Sequence, residues 1–402
     1  VIGMLASSWL GAVWSSCSPD FGSDGILDRF GQIQPRLLIA ADGYRFKGHL
    51  IDLREKVREV RTGLGEDCRH CIAIPWQRTG PIEDALDWDL LLAETTRPPP
   101  FAQLPFDHPL YILFSSGTTG KPKCIVHGAG GTLLQHLKEH RLHCDLRRED
   151  RLFYFTTCGW MMWNWLVSGL ASGTTLVLFD GNPFYPEPDT LWRLADDLGV
   201  SVFGTSAKYL SAQEKAGVQV RGRLPLEKLR TVLSTGSPLA PESFDYVARD
   251  IKPGVQISSI SGGTDIVSCF ALGNPLLPVR RGQLQCRGLG MAVDVFDNAG
   301  HSLRDAPGEL VCTRPFPCMP VGFWNDPDGG RYHAAYFERF PGVWTHGDWT
   351  ILTPEGGLII EGRSDAVLNP GGVRIGTAEI YRQVERLPQI QESICVGQRW
   401  ED

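Results

Sequence analysis

The sequence has no excess of basic residues, no second cysteine pair at metal-binding spacing and no long uninterrupted apolar run. Its 402 residues carry a formal net charge of -7, which gives no support for nucleic-acid binding, a function usually marked by a basic patch. The eleven cysteines are scattered, and Cys68 and Cys71 have no partner pair at zinc-ribbon spacing. These absences favour small-molecule chemistry in a reducing, cytoplasmic compartment.

The apolar stretch at residues 1–13 lacks a starting Met and a basic segment, and Trp and Ser interrupt it before it could span a bilayer. Its small residues predict a close-packed buried helix instead. We therefore expect no membrane span here, and we expect the sequence to begin inside a longer protein.

Alternation of segment types predicts an α/β fold. Residues 37–41 suit a buried strand, apolar residues recur at helical spacing from Leu50 to Leu64, and residues 71–74 suit a second strand. A strand-helix-strand unit implies a parallel sheet. Further strands are expected at 175–179, 201–204, 229–233 and 255–260, with helices between them. From Gly282, short segments broken by turn signals predict a small β-barrel or sheet.

A polar glycine loop lies between two apolar segments at residues 110–127. Gly117 and Gly120 allow positive φ and close approach of backbone N-H groups to an anion, and Lys121 and Lys123 supply charge. The hydroxyls of Ser115, Ser116, Thr118 and Thr119 add donors. The loop is not the common P-loop, because two residues separate its glycines and Pro122 follows Lys121. It predicts a polyphosphate site rather than a solvated hairpin tip.

Residues 131–146 predict a helix in which Leu133, Leu134 and Leu137 share a face. Within it, His136, Glu139 and His140 match the H-x-x-E-H pattern of one zinc peptidase class, in which a glutamate acts as base beside two metal-binding histidines. No third ligand is evident, so we interpret the motif as a solvated helix face and keep the zinc peptidase as an alternative.

Three tryptophans occur within residues 160–165. We expect Trp163 and Trp165 to pack in the core, whereas Trp160 and Met162 suit the wall of an apolar ligand cleft. Glycine-bearing turns follow two predicted strands, at 234–238 and 261–265. Ligands of parallel sheets bind beyond the carboxyl ends of strands, so both turns are expected at one cleft.

The string SSGTTGKPK resembles the phosphate loop of the adenylate-forming superfamily, which includes acyl-CoA synthetases, luciferases and the adenylation domains of peptide synthetases. Residues 153–165, 258–265 and 368–374 resemble the acetoacetyl-CoA synthetase family in particular. The resemblance implies doubly wound, mostly parallel sheets plus a small β-barrel subdomain. It also implies a large AMP-binding domain over 1–364, mainly β from 282 to 364, followed by a hinge and the start of a C-terminal lid domain at 365–402.

The resemblance assigns roles by position. Thr264 would bond the α-phosphate, Asp265 would bind magnesium, Asp348 would hold both ribose hydroxyls with Arg363 assisting, and Arg374 would reach the phosphates. Asp365 would be the hinge, and Trp160, Met162 and Gly262 would line the acyl pocket. Residues implied for the β and γ phosphates are Ser116, Gly117, Thr118, Thr119, Gly120 and Lys121, and those implied for the adenine are Gly236, Ser237, Pro238, Ser259, Ile260 and Ser261.

The activity implied is ATP-dependent and magnesium-dependent joining of acetoacetate to CoA through an acyl-adenylate, in ketone-body use and lipid synthesis. Asp265 departs from the glutamate usual in the superfamily, and Gly262 replaces the bulky Trp of acetyl-selective relatives, which leaves room for a longer acid. The superfamily's adenylation lysine lies in the C-terminal domain, so we expect these residues alone to turn over poorly. A different short- or medium-chain acyl-CoA synthetase and a non-catalytic nucleotide-binding fragment remain alternatives.

Overall fold

The computed structural model describes residues 1–94, 97–115, 121–364, 367–368, 375–376, 380 and 384. The helix Ala129–Lys138 continues into a π-helical turn at Glu139–His143, and the helix Pro241–Tyr246 continues into another at Val247–Ile251. The helices in this part of the chain are α1 (Ile2–Trp9), α2 (Ser23–Ile33), α3 (Arg54–Leu64), α4 (Trp88–Ala93), α5 (Ala129–Lys138), α6 (Met161–Ser168), α7 (Thr190–Asp197), α8 (Ala207–Lys215), α9 (Pro241–Tyr246) and α10 (Gly330–Phe337).

The strands form several small sheets, some parallel and some antiparallel. They are β1 (Leu37–Ala41), β2 (Gly43–Phe46), β3 (His49–Asp52), β4 (His70–Ile74), β5 (Leu86–Asp87), β6 (Pro109–Ser115), β7 (Lys123–Gly128), β8 (Arg151–Tyr154), β9 (Thr175–Val177), β10 (Val202–Ser206), β11 (Thr231–Thr235), β12 (Gln256–Ser259), β13 (Ser261–Gly263), β14 (Ser268–Leu272), β15 (Cys286–Arg287), β16 (Val293–Phe296), β17 (Pro307–Cys312), β18 (Gly322–Phe323), β19 (Trp344–Leu352), β20 (Leu358–Arg363), β21 (Val367–Leu368) and β22 (Ile375–Gly376).

The first predicted unit is confirmed, because β1 and β4 pair in parallel and α3 lies between them in the chain. The helix nevertheless begins later than the apolar spacing predicted. Leu50 belongs to the hairpin β2–β3 and is exposed. The carboxylate of Asp52 accepts a hydrogen bond from the backbone N-H of Arg54 at 2.9 Å, which satisfies an otherwise unpaired donor at the start of α3.

A five-stranded parallel sheet, in the order β12-β11-β10-β8-β9, forms the middle of the molecule. Four of its strands match the expected positions, while β8 was not anticipated as a strand. One face packs against residues of α7, α8 and α9 around the fully buried Trp192. The other face contributes to a second core that includes Trp165 of α6. Helices on both faces confirm the doubly wound class.

The later part of the chain is antiparallel. A four-stranded sheet has the order β16-β17-β19-β20, and separate three-stranded sheets join β13-β14-β15 and β18-β7-β6. The expected small barrel is therefore represented by an open antiparallel sheet, and within the described ranges the strands do not close into a barrel. The short strands after Gly282 agree with the turn signals in that part of the sequence.

Two predicted helix environments are wrong. Within residues 1–13 only Met4 is buried, while Ile2, Leu5 and Leu10 are exposed, so α1 is a surface helix rather than a buried one. Helix α5 is turned the opposite way to its expected orientation, because Leu133 and Leu134 are exposed. Helical spacing identifies residues that share a face, but it does not say which face is inside. In the described part of the chain, every helix is too short or too polar to cross a bilayer.

Candidate functional site

The two strands predicted within residues 110–127 are present as β6 and β7. They pair antiparallel, and Ser115 lies opposite Lys123. Lys121 is exposed at the start of the second arm. The loop residues Ser116, Gly117, Thr118, Thr119 and Gly120 fall outside the described residues. The two arms therefore place Lys121 and Lys123 together at one end of this pair.

The predicted magnesium ligand, Asp265, lies in a buried polar cluster. Its Oδ1 atom is 2.8 Å from the Lys123 ammonium and accepts a hydrogen bond from the Tyr336 hydroxyl at 2.7 Å. The Lys123 ammonium also lies 5.2 Å from the centre of the Tyr336 ring, an arrangement typical of a cation-π contact. Tyr336 in turn stacks on Trp344, with ring centres 3.8 Å apart. The cluster holds the Asp265 carboxylate in one place.

The donor set at Asp265 fits a magnesium ion that carries substrate. Magnesium is usually bound by one or two carboxylates together with phosphate oxygens and water. Within the described ranges, the chain has no group of three or more His, Cys, Asp or Glu side chains that could hold a metal. A cation at Asp265 would therefore complete its ligands with oxygens from a nucleotide.

Buried His127 lies near this cluster. Burial lowers the pKa of its imidazole to about 3, although the nearby Asp265 carboxylate acts in the opposite direction. His127 is therefore neutral at physiological pH, so Lys123 is the cation paired with Asp265 here.

The predicted ribose ligand, Asp348, lies in a second cluster on β19 and β20. Its Oδ1 accepts a hydrogen bond from Nη1 of Arg363 at 2.9 Å, and the two residues pair directly across the strands. The His346 Nε2 atom lies 3.6 Å from Oδ2 of Asp348. Both partners that the resemblance assigned to the ribose, Asp348 and Arg363, are thus brought together.

Asp348 follows a glycine at an irregularity in strand β19, where the pairing with β17 shifts register. Gly347 has φ of 84°, a conformation that favours glycine. Its backbone N-H donates to Oε1 of the fully buried Glu309 at 2.8 Å, and Oε2 of Glu309 accepts from Arg339. Glu309 therefore fixes the backbone next to Asp348, a role that carried no recognisable signal in the sequence.

A ring contact joins the two clusters. Phe270 on β14 meets the His346 ring edge-on, with centres 4.8 Å apart. Because β14 begins three residues after Asp265, and His346 lies two residues before Asp348, both carboxylates belong to one contiguous region. Motifs that are far apart in the sequence thus lie in one region of the fold.

The two glycine-bearing turns also lie side by side. Strands β11 and β12 are parallel neighbours, with Ser234 opposite Ser259. The hydroxyl of Thr235 donates to the carbonyl of Ile260 at 2.8 Å, which ties the turns together beyond the strand ends. Gly236, with φ of 97°, redirects the chain toward Ser237 and Pro238. Residues 236–238 and 259–261 are thus adjacent, as the parallel order requires.

The candidate acyl residues differ in environment. Trp160 is half-buried with its ring edge-on to Tyr154, whereas Met162 is buried in the core. Trp165 is buried, as expected. Gly262 has a structural reason of its own, since a Cβ atom there would lie 2.2 Å from the carbonyl oxygen of Ser268. Close approach of the backbone is therefore a sufficient reason for glycine at this position.

The interpretation of the H-x-x-E-H motif as a solvated face is wrong. His136, Glu139 and His140 are fully buried, and protein groups occupy the polar atoms of His136 and Glu139. Helix α5 is turned inward by these hydrogen bonds, which a periodicity argument cannot foresee.

Two predicted residues, Asp365 and Arg374, lie outside the described residues. Elsewhere, an open groove of about 840 Å³ lies along α3, lined by charged residues such as Arg54, Arg58 and Glu83. None of the predicted site residues lines it. The contacts around Asp265 and Asp348, rather than this groove, mark the candidate site.

Comparison with known proteins gives consistent matches. The family model described as AMP-binding enzyme matches residues 1–321. An acetoacetyl-coenzyme A synthetase of Rhizobium meliloti is 58% identical over 99% of this chain and 62% of its own length. The acetoacetyl-CoA synthetase of Mus musculus is 50% identical over 98% of this chain and 60% of its own length.

More distant and structural matches agree. A malonamoyl-CoA synthetase of Penicillium aethiopicum is 43% identical over 99% of this chain and 58% of its own length. The solved structure of an acetoacetyl-CoA synthetase from Streptomyces lividans superposes with a TM-score of 0.87 at 50% identity, covering 98% of this chain and 61% of that one. The chain thus spans about 60% of the length of the curated relatives it matches.

Proposed function

Because the chain belongs to the AMP-binding enzyme family, we propose that the protein activates acetoacetate with ATP and passes the acyl group to CoA. The observation that carries the proposal is the 58% identity to an acetoacetyl-coenzyme A synthetase over 99% of this chain. In the first step a carboxylate oxygen of acetoacetate attacks the α-phosphorus of ATP, and pyrophosphate leaves. In the second, the sulfur of CoA attacks the acyl carbon, the thiol proton is lost to solvent, and AMP leaves.

The described residues suit the first step. An acid that attacks a polyphosphate brings an anion onto a polyanion, so oriented cations and donors must stabilise the charge. Lys121 and Thr264 supply such groups in our proposal. Asp348, with Arg363 assisting, accepts from the ribose hydroxyls, since an ionised carboxylate only accepts. Magnesium, when bound, would neutralise phosphate charge, and Asp265 is the carboxylate that would hold it.

We assign Ser116, Gly117, Thr118, Thr119, Gly120 and Arg374 to the phosphates, the two adjacent turns to the adenine, and Trp160, Met162 and Gly262 to the acyl side. Asp365 is the proposed hinge of a large domain over 1–364 and a lid from 365. The adjacency of Thr235 and Ile260 supports the adenine assignment, because it places both turns at one point.

A second acid, malonamate, is also a candidate substrate. Malonamate, the acid of the Penicillium aethiopicum relative, shares with acetoacetate a carbonyl on the third carbon, and it differs in carrying an amide nitrogen there. A pocket that binds the third-carbon carbonyl would accept both acids and discriminate against butyrate, which lacks it.

ATP-pyrophosphate exchange with the complete protein that contains this sequence tests the proposal. We expect acetoacetate to give the highest kcat/KM among acetoacetate, malonamate, acetate and butyrate. Asp348→Ala should raise the KM for ATP roughly 10- to 100-fold, because it removes hydrogen bonds to a charged group. Asp245→Ala, which removes an exposed aspartate, is the control. Exchange with none of the four acids would refute the proposal, and a preference for malonamate would reassign the substrate.

We also propose a cytosolic location. The cysteines of the described chain are free thiols, many of them buried. Free thiols are typical of reducing compartments. Recovery of the protein in a membrane-free, reducing cell fraction would support this location.

A further inference from the structure

Helix α5 buries its polar side and exposes apolar residues. Gln135, His136, Glu139 and His140 are at most 2% exposed, whereas Leu134 is 52% exposed. Burying polar groups is unfavourable unless they are hydrogen-bonded. None of these four residues has a part in the chemistry of the proposed reaction, so their partners indicate what they do.

Glu139 joins two other elements. Its Oε2 accepts a hydrogen bond from the Trp165 indole of α6 at 2.8 Å. Its Oε1 accepts a short hydrogen bond from the Ser268 hydroxyl at the start of β14, and another from Gln135 at 2.9 Å. Burial alone would raise the pKa of Glu139, but the Lys138 ammonium and the hydrogen bonds from Ser268 and Gln135 outweigh it and lower the pKa to about 2. The carboxylate is thus ionised where it meets both elements.

His136 forms a second connection between the same two elements. Its Nε2 lies 2.6 Å from the Val267 carbonyl, and its Nδ1 lies 2.8 Å from the Ser168 hydroxyl of α6. A carbonyl oxygen only accepts, so Nε2 carries the proton and donates to it. Burial lowers the pKa of His136, which favours the neutral ring. The Ser168 hydroxyl lies between Nδ1 and the carbonyl of Asn164, 3.0 Å away, and is shared by these two acceptors.

Both connections end on the hairpin β13–β14, whose turn carries Thr264 and Asp265. The turn is closed by hydrogen bonds from the N-H groups of Ile266 and Val267 to the carbonyls of Gly263 and Thr264, each 3.2 Å long. Val267 has φ of 48°, which is unfavourable for a β-branched residue. A strained residue persists only when its surroundings hold it, and the carbonyl of Val267 is the group that His136 binds.

We propose that His136 and Glu139 are positioning residues that hold the Thr264–Val267 turn against α5 and α6. The part of this inference that concerns nucleotide binding rests on the proposed function, whereas the anchoring itself does not. Met162 and Leu166 of α6 and Ile266 and Val267 of the turn pack in the same apolar core. Apolar packing is not directional, so the two hydrogen-bonded bridges are what fix the orientation of the turn within that core.

Hydrogen-deuterium exchange of the complete protein without ligand tests the anchoring. His136→Leu removes both hydrogen bonds, and we expect the amides of Ile266 and Val267 to exchange roughly tenfold faster, as loss of one hydrogen bond implies. His136→Gln can donate to Val267 and accept from Ser168, so it should restore exchange to within about threefold. Leu134→Ala, on the exposed side of the same helix, is the matched control and should change nothing.

The same variants separate positioning from general stability. With His136→Leu, the magnesium concentration for half-maximal pyrophosphate exchange should rise roughly tenfold, while the KM for acetoacetate stays within about threefold, because the turn carries the proposed metal ligand. Ser268→Ala, which removes one donor to Glu139, should shift the magnesium requirement in the same direction by a smaller factor.

Several outcomes would overturn the inference. They are unchanged exchange at the turn in His136→Leu, an equal rise of exchange throughout the chain, or a His136→Gln variant that behaves as His136→Leu does. Faster exchange at the turn alone, rescued by glutamine, would support it even if acetoacetate were not the substrate. Failure of the proposed function and failure of the anchoring are thus distinguishable.

Discussion

Helices α5 and α7 bury opposite kinds of surface. Helix α7 packs Leu191, Trp192 and Ala195 against the parallel sheet, and Arg193 remains in solvent. Helix α5 buries His136 and Glu139 among hydrogen-bond partners and leaves Leu134 exposed. The first arrangement is driven by removal of apolar surface from water. The second gains little net free energy from each hydrogen bond, but it permits only one geometry.

The two regions therefore contribute different properties to the protein. The apolar side of the parallel sheet supplies stability, and the polar core beneath β13–β14 supplies position. A change in α7 should therefore lower the free energy of unfolding without changing the site selectively. A change in α5 should disturb the turn that carries Asp265 more than a change in α7 that lowers the free energy of unfolding by the same amount.

The largest effect is expected at Trp192. Trp192→Ala should lower the free energy of unfolding by about 3–5 kcal/mol, because it leaves a cavity beside Phe203, whose ring stacks on it at 4.3 Å. Denaturant titration measures this change. Trp192→Phe keeps an aromatic ring and loses the hydrogen bond to Gln213, so it should cost less. A loss below about 1 kcal/mol for the alanine variant would contradict the packing described.

A second large effect is expected at Glu139. Glu139→Ala should cost about 3 kcal/mol, because the donors of Trp165 and Ser268 and the Lys138 ammonium lose their acceptor. The double variant Glu139→Leu with Lys138→Met removes the charge from both sides. In the same titration the double variant should recover part of this stability. Its magnesium concentration for half-maximal pyrophosphate exchange should remain above that of the unaltered protein. If stability and magnesium requirement recovered together, the contrast with α7 would fail.

The strands of the parallel sheet could be predicted from the sequence, whereas the orientation of α5 could not. The strands β10, β11 and β12 were located within one or two residues, because apolar segments bounded by turn signals identify buried parallel strands. The orientation of α5 was missed because His136 and Glu139 are hydrogen-bonded to Val267 and Ser268, more than a hundred positions away. Helical periodicity holds no information about such distant partners.

The site divides in the same way. The motifs around Asp265 and Asp348 were placed by resemblance, and the pairing of Asp348 with Arg363 follows from it. The contacts of Asp265 with Lys123 and Tyr336 did not follow, since 142 and 71 positions separate these residues from it. Tyr336 lies in α10, a segment with no motif to draw attention to it.

The polar core should also make stability depend on pH. Burial lowers the pKa of His127 and of His140 to about 3, whereas the pKa of a histidine in the unfolded chain is about 6.5. At pH values between these two, each imidazole takes up a proton when the protein unfolds. Stability is therefore fully present above pH 6.5 and falls as the pH is lowered. From pH 7 to 5.5 each histidine should contribute about 1.2 kcal/mol, or about 2.5 kcal/mol for the pair.

Denaturant titration at a series of pH values measures this dependence, both in the unaltered protein and in His140→Asn, which removes one of the two histidines. It should reduce the pH-dependent loss by about half of the two-histidine contribution. Trp192→Phe is the control, because it changes the apolar side and should leave the slope unaltered. A stability that rises as the pH falls through this range would show that the buried histidines are charged in the folded state.

The smallest effect is expected on the outer side of α5. Leu134→Lys should change the free energy of unfolding by no more than about 0.5 kcal/mol, because the side chain is 52% exposed and lysine has a similar helix propensity. The same denaturant titration measures it, alongside Leu191→Lys on the buried face of α7, which should unfold the protein. A loss above about 2 kcal/mol for Leu134→Lys would mean that another surface covers this side of α5 in solution, and the inverted helix would then be buried on both sides.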